Sequence, residues 1–280
     1  MKDFSVLITV YDKENPEYFK EALESIINQT LMPSQVVVVK DGPLTKELDE
    51  VLGYFMKAHP DLFTALVFDK QIGRGEALRR GVERCKFGII AIMDSDDISC
   101  SDRFKKEADF LENNSEIDIV GSFAFEFMDK ESNIWGRRNL PTEHEDIVRF
   151  AKKRMPVNHV TIMFKRDVIL RAGNYENLFG FEDYYLMVRA IKSGSRLANI
   201  PEYLAKVRIS DDMFRRRGGF RYLLNEIEAQ KKFLAIGFLS YPEFLSNIFM
   251  KSIVRLMPNF ARKHFYKAFL RKDYPAGESR

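Results

Sequence analysis

The chain has 280 residues, of which 45% are hydrophobic and 30% charged, with a formal charge of +3; this balance excludes a disordered or collagen-like chain and suits one large domain or two modest ones. Its two cysteines, Cys85 and Cys100, have no C-x-x-C spacing, so neither a disulfide framework nor a zinc site is suggested. The opening MKDFSVLITVYDKE is too short in its apolar run for a signal peptide, and no stretch reaches the roughly 18 apolar residues of a membrane-spanning helix, so the expected location is the reducing cytoplasm.

The run FSVLITVY (4–11) is continuously apolar and β-branched, as a central strand covered on both faces should be. NPEYFKEALESIINQT (15–30) follows with helical period, placing Phe19, Leu23, Ile26 and Ile27 on one face and Pro16 in the first turn. SQVVVVKDG (34–42) predicts a second buried strand, 44–59 a helix, LFTALVFDK (62–70) a third strand, 75–85 a helix and FGIIAIMDSDD (87–97) a fourth strand. Strand and helix alternating at this spacing predict an α/β fold, a mainly parallel sheet with helices on both faces.

After residue 100 the alternation loosens. SDRFKKEADFLENN predicts a helix with Ser101 as N-cap, and DIVGSFAFEFMD alternates like a half-exposed strand. A mixed region without a linker carries on to RLANIPEYLAKVRI, so residues 1–212 are expected to form one domain. Residues 213–280 are expected to form a helical extension, with 14 Lys/Arg against 5 Asp/Glu, a balance of +9 over an acidic body of −6. Within it, Phe249, Ile253 and Leu256 share an apolar face, and Phe260, Phe265, Phe269 and Leu270 are interleaved with Arg262, Lys263, Lys267, Arg271 and Lys272. Such a segment predicts either helices lying on an anionic membrane surface or an apolar face packed on the domain with solvated cations. Nucleic acid is not the expected partner, because these cations alternate with aliphatic groups at helical spacing and not with exposed aromatics on strands.

Ligands of an open parallel sheet bind outside the carboxyl ends of its strands. That edge carries Thr9 and Tyr11, then Asp41, then Asp94, Asp96 and Asp97. Carboxylates crowded after the buried run GIIAIM repel one another. The D-x-D pair Asp94 and Asp96 can instead hold a hard cation, Mn2+ or Mg2+, which neutralises a diphosphate.

With these blocks in place, the sequence resembles glycosyltransferase family 2 and its GT-A fold, over the N-terminal three-quarters of the chain. SVLITVY, QVVVVKDG, GRGEALRRGVERCKFGIIAIMDSDDISCSDRF, NHVTIMFKRDVILRAGNY and GFEDYYLMVRAIKSG carry the resemblance, which is nearest to bacterial enzymes of capsular and exopolysaccharide synthesis. It implies a nucleotide-sugar half over about 1–100 and an acceptor half over about 101–212. Asp41 would then accept from the uracil or ribose of a UDP-sugar, with Thr9 and Tyr11 lining the base pocket. Asp94 would face ribose and metal, and Asp96 would be the direct metal ligand. Asp183, with Glu182 beside it, would be the general base that deprotonates a saccharide or lipid-linked saccharide acceptor in an inverting displacement. Such an enzyme would work on the inner face of the cell membrane.

The chain departs from the family pattern at Lys40, where relatives often carry a second acid, and at Glu76, where a basic residue is common. Arg74 and Arg79 remain candidate phosphate ligands, and so do Arg208 and Arg215–Arg217, whose alternative is a solvated or lipid-facing basic patch. His159 stands either near the acceptor or diphosphate or in a structural role, and Trp135 in core or acceptor-groove packing. Gly218 and Gly219 read as a joint. A sugar-nucleotide pyrophosphorylase would need a Gly-rich basic loop after the first strand, which TVYDKENPEYF lacks. A nucleotide-sugar-binding subunit without activity is the non-catalytic alternative; intact Asp41, Asp94, Asp96 and Asp183 argue against it.

Overall fold

In the computed structural model, residues 3–265 are described. The apolar runs of the first hundred residues become β1 (Ser5–Val10), β2 (Gln35–Lys40), β3 (Phe63–Val67) and β4 (Ile89–Asp94). Between them run α1 (Pro16–Ile27), α2 (Lys46–Ala58) and α3 (Arg74–Arg84). Helix α1 starts where expected because Asn15 Oδ1 accepts from the Glu17 and Tyr18 N–H groups ahead of Pro16. The four strands lie parallel in the order β3-β2-β1-β4. The chain therefore builds outward from β1 to β3 and then returns to β1's other side, which opens a crevice between the ends of β1 and β4.

Period-2 alternation sorts the strand side chains. Val6, Ile8, Val10, Val36 and Val38 pack with Phe19, Leu23 and Leu52 on one face, while Leu7, Val37, Val39, Ile90 and Ile92 pack with Leu78 and Val82 on the other. Both faces are buried, as the unbroken apolar runs require.

The second half extends the same sheet with mixed pairing. It comprises β5 (Ile98–Ser99), α4 (Arg103–Asn113), β6 (Ile119–Phe127), β7 (Ile134–Arg138), α5 (His144–Ala151), β8 (Met163–Lys165), α6 (Arg166–Arg171), α7 (Glu182–Lys192) and β9 (Leu197–Arg208). β8 runs antiparallel to β4 and β6, β9 runs parallel to β6, and β5 closes on β9. Two expectations are corrected here. The segment expected to be a half-exposed strand is mostly buried, because β6 lies between β8 and β9; Phe123 and Phe125 alone in it are half-buried. Ser101 does not cap α4. A turn in which Arg103 N–H donates to Cys100 O places Asp102 at the N-cap position, without a side-chain cap bond.

That turn serves Arg103, whose side chain is fully buried. Its Nε donates to Glu107 Oε1 at 2.9 Å, Nη1 to Ser99 Oγ at 3.0 Å and Nη2 to Ile92 O at 2.8 Å. Ile92 precedes and Ser99 follows the acidic segment 94–97, so one guanidinium pins both ends of that loop.

The C-terminal helices are α8 (Asp211–Arg216), α9 (Phe220–Ala235), α10 (Tyr241–Leu256) and α11 (Asn259–Phe265). The boundary expected between 212 and 213 falls within α8. Ala229, Phe233, Phe238 and Leu239 form one cluster with Tyr184, Tyr185 and Val188 of α7, so α9 shares a core with the domain. The expected aromatic and cationic positions 267–272 lie outside the described residues.

Removing one partner of a buried ion pair leaves the other uncompensated. Arg103→Ala should therefore cost about 3–5 kcal/mol of unfolding free energy in urea, the upper range for a single substitution. A loss below about 1 kcal/mol would show that the loop is held by other contacts.

Candidate active site

Thr9 stands beside Asp94 in the β1–β4 register, and Tyr11 follows β1; both are half-buried at the crevice. Asp41 is buried at the end of β2, where its N–H donates to Val10 O and its Oδ1 accepts from Ile72 N–H at 2.6 Å. This bond ties the loop before α3 to the strand ends. Thr9, Tyr11, Asp41, Asp94 and Asp96 thus share the one edge the sequence predicts.

The acids there have unequal environments. Burial alone would raise the Asp94 carboxyl, but Arg74 and His159 outweigh it and hold Asp94 well below the ordinary range. Asp96 is pushed up to about 7, first by burial and then by the charges of Glu14 and Asp94. Asp97 is also raised, by burial and then by Asp96 and Asp94, while its Oδ1 accepts from Arg208 N–H at 2.7 Å. Glu14 escapes sequence reasoning altogether. Its Oε2 accepts from Ser95 O–H at 2.6 Å, bringing a fourth carboxylate to the loop from the turn after β1. The available signal was position: Glu14 follows the first strand end by only four residues.

Arg208 supports this loop from its backbone side. Nε donates to Asp96 O at 3.0 Å and Nη1 to Asp129 O at 3.1 Å, Nη2 pairs with Glu21, and the guanidinium lies 3.7 Å from the Tyr18 ring centre. All three nitrogens are engaged and the side chain is 8% exposed. These contacts make Arg208 a brace for the acidic loop. Arg79 pairs with Glu76 and Glu83, and Arg215 and Arg216 pair with Asp212, with all three arginines exposed.

Glu182 and Asp183 open α7. Glu182 is buried, and Asp183 is half-buried with Oδ1 accepting from Tyr184 N–H at 2.7 Å. Glu182 meets Asp94 of the β1–β4 edge through Arg74, the first residue of α3. Its Nη2 donates to Asp94 Oδ1 at 2.7 Å, its Nη1 donates to Glu182 Oε1 at 2.9 Å, and Nη2 also lies 3.1 Å from His159 Nδ1. His159 Nε2 is in turn 2.9 Å from Tyr175 Oη, which gives His159 a place inside the site. Two glycines let α3 start here. Gly73 has φ +89°, and a Cβ on Gly75 would stand 2.5 Å from Glu176 O. Asn177 Oδ1 accepts from Glu76 N–H, capping α3 from the other half of the molecule.

Among the described residues no group of three or more His, Cys, Asp or Glu side chains is disposed to hold a metal ion. The donor set still suits Mn2+ or Mg2+ of the kind that binds through one or two carboxylates and completes its shell with substrate phosphates and water. Asp96 and Asp94 would hold it. Asp94 has Oδ1 on Arg74, which leaves Oδ2 for a cation.

Residues 5–172 match the family described as glycosyl transferase family 2. The chain is 34% identical over 270 residues to the UDP-Gal:alpha-D-GlcNAc-diphosphoundecaprenol beta-1,3-galactosyltransferase of Escherichia coli, covering 96% of this chain and 97% of that one. It is equally 34% identical over 264 residues to the amylovoran biosynthesis glycosyltransferase AmsE of Erwinia amylovora, covering 94% and 98%. Among solved structures, the fold is similar to mannosyltransferase PcManGT from Pyrobaculum calidifontis in complex with GDP-Man and Mn2+, at a TM-score of 0.64 and 16% identity over 99% of this chain and 79% of that one. It is also similar to S. aureus TarS, at a TM-score of 0.61 and 17% identity, where this chain spans 46% of the longer protein.

Crowding at Asp96 has a pH signature. Its folded pKa lies above the ordinary 3.8, so its favourable contribution is present at low pH and is lost as pH rises through about 7. Asp96→Asn should therefore raise the Tm of the metal-free protein at pH 8 by about 2–4 °C and by less at pH 5. The same variant should lose Mn2+-dependent binding of a nucleoside diphosphate. Calorimetry showing unchanged UDP affinity with and without Mn2+ would remove Asp96 from the metal site.

Proposed function

The chain belongs to glycosyltransferase family 2, and we propose that this protein moves a hexose from a UDP-sugar to a lipid-linked saccharide, inverting the anomeric centre, in cell-surface polysaccharide synthesis. One observation carries the reading: Asp94 at the β1–β4 crevice and Glu182 opening α7 face one another across a single guanidinium, which supports a donor and an acceptor meeting at one edge. The donor and acceptor named for the Escherichia coli relative supply the chemical classes.

Asp41 and Thr9 would receive the base and ribose, with Tyr11 beside them. Asp96 and Asp94 would hold the divalent cation, which supplies positive charge to the leaving diphosphate. Asp183 would accept the proton of the acceptor hydroxyl. That oxygen forms the new bond to the anomeric carbon as the bond to the diphosphate breaks, and UDP departs with the electron pair. No covalent nucleophile is needed, because a single displacement inverts.

The acceptor's lipid implies work at a membrane surface, and α10 supports that. No helix of the described residues is long and apolar enough to cross a membrane. Helix α10 instead packs by its polar side: Lys251 and Arg255 pair with the buried Glu226 of α9 at 2.5 and 2.6 Å, and Asn247 donates to Gln230 Oε1 and Lys152 O. Its apolar side faces solvent, with Leu245, Phe249, Met250, Ile253 and Leu256 each exposed, Phe249 by 66%. This inverts the usual amphipathic arrangement. Exposed Arg215 and Arg216 on α8 add cations for anionic headgroups, each contributing about 1 kcal/mol when well placed.

Two measurements test the reading. Asp183→Asn should lose transfer by about two orders of magnitude or more, with UDP binding nearly unchanged. Loss in Glu182→Gln with full transfer in Asp183→Asn would move the base one residue back, and a protein that binds UDP-sugar without transferring or hydrolysing it would be the non-catalytic subunit. For the surface, the double variant Phe249→Ser, Ile253→Ser should cease to co-sediment with anionic vesicles that carry the parent protein at low salt. Truncation near 240 is a poorer test, since it strips the buried Glu226 of both its cations. Equal sedimentation of parent and variant would take α10 out of membrane binding.

A further inference from the structure

Arg74 touches acids of both halves. It stands on α3, which belongs to the nucleotide half, and its two terminal nitrogens divide between Asp94 at the end of β4 and Glu182 at the start of α7. The side chain is 37% exposed, so its open edge borders the crevice. The surrounding framework is stiff. Asn177 Nδ2 donates to Ile72 O and its Oδ1 caps α3, Asn174 Nδ2 donates to Arg79 O, and the Tyr175 ring meets His159 edge-on. Segment 174–177 therefore fixes where α3 begins, and α3 fixes where Arg74 points.

A planar guanidinium serves two carboxylates at set angles, whereas an ammonium that bridges two acids does not fix those angles. Its hold on one partner depends on the other. With Glu182 charged, the cation is shared and Asp94 keeps Oδ2 for a second cation. With Glu182 neutral, Arg74 has only Asp94 and His159 to satisfy it, and it competes more strongly for the carboxylate that a metal–diphosphate needs.

We propose that Arg74 is a positioning residue that couples the donor site to the acceptor side, making the grip of Asp94 on a metal-bound nucleoside diphosphate depend on the charge of Glu182. The inference rests on the reading of Asp94 and Asp96 as donor-metal acids. It concerns a linkage between two sites, so the effect must be mutual: donor binding at Asp94 releases Arg74 toward Glu182, just as changes at Glu182 reach the donor.

A double-mutant cycle on UDP binding in the presence of Mn2+, followed by calorimetry on the full-length protein, decides it. Glu182→Gln should weaken UDP–Mn2+ binding about three- to tenfold although Glu182 lies on the acceptor side. In an Arg74→Gln background the same Glu182→Gln change should alter the affinity by less than about 1.5-fold. Should Arg74→Gln fail to fold, Arg74→Lys replaces it, because lysine keeps the charge but not the fork, and the cycle should again lose its coupling. A merely structural Arg74 would lower Tm in every background while leaving the cycle additive, and additive effects overturn the proposal. A parent protein that binds no UDP with Mn2+ at all would instead overturn the donor-site reading on which the proposal stands.

Discussion

Like charges resist being gathered in a half-buried place, and Glu14, Asp94, Asp96 and Asp97 are gathered at the end of one strand. Each needs a specific answer to that repulsion. Asp94 has a guanidinium; Asp97 has a backbone N–H from Arg208; Glu14 has the Ser95 hydroxyl. Asp96 and Asp97 are both left with their carboxyls pushed up, and a divalent cation on Asp96 would relieve that repulsion. Three arginines surround the loop in separate capacities. Arg103 pins its two ends from within the core, Arg208 braces its backbone, and Arg74 faces the crevice.

The parallel half of the sheet supplies the edge, but the proposed chemistry also needs α7, which comes about 90 residues after the D-x-D loop. The junction is a set of close backbone approaches and not a hydrophobic patch. Gly75 lets α3 approach Glu176 O, and the amide of Asn177 satisfies both the start of α3 and the carbonyl of Ile72. Hydrogen bonds of that kind fix angle as well as distance, so they suit a site in which a base must sit in line with a leaving group.

The C-terminal helices show how a buried charge can turn a helix around. Glu226 is 1% exposed on α9, and leaving it unpaired there would be costly. Lys251 and Arg255 of α10 answer it, so the side of α10 that carries cations faces inward and the side carrying Phe249 and Ile253 faces out. Neither of the two arrangements the sequence allowed for this tail, lipid contact or packing by its apolar face, anticipated that the cations would be the packed side.

Local patterning made the framework legible. Continuous β-branched runs named the four parallel strands, the helical period named α1, α2 and α3, and the alternation of the two set the edge on which Thr9, Asp41, Asp94 and Asp96 meet. The D-x-D pair could be read as cation-binding acids because it stands at a strand end set by nearby residues, whereas the E-D pair took its role from the resemblance to glycosyltransferase family 2. The sequence could list Arg74, Arg208 and His159 only as candidates, and it left Glu14 and Asn177 unmarked, because each acts on a partner far along the chain. Arg74 reaches across 108 residues to Glu182 and Arg208 across 112 to Asp96. Periodicity describes which way a side chain points from its own element; which distant charge it meets is decided when the sheet brings β4, α3 and α7 together, since a guanidinium is oriented by the carboxylates and carbonyls that tertiary packing places around it.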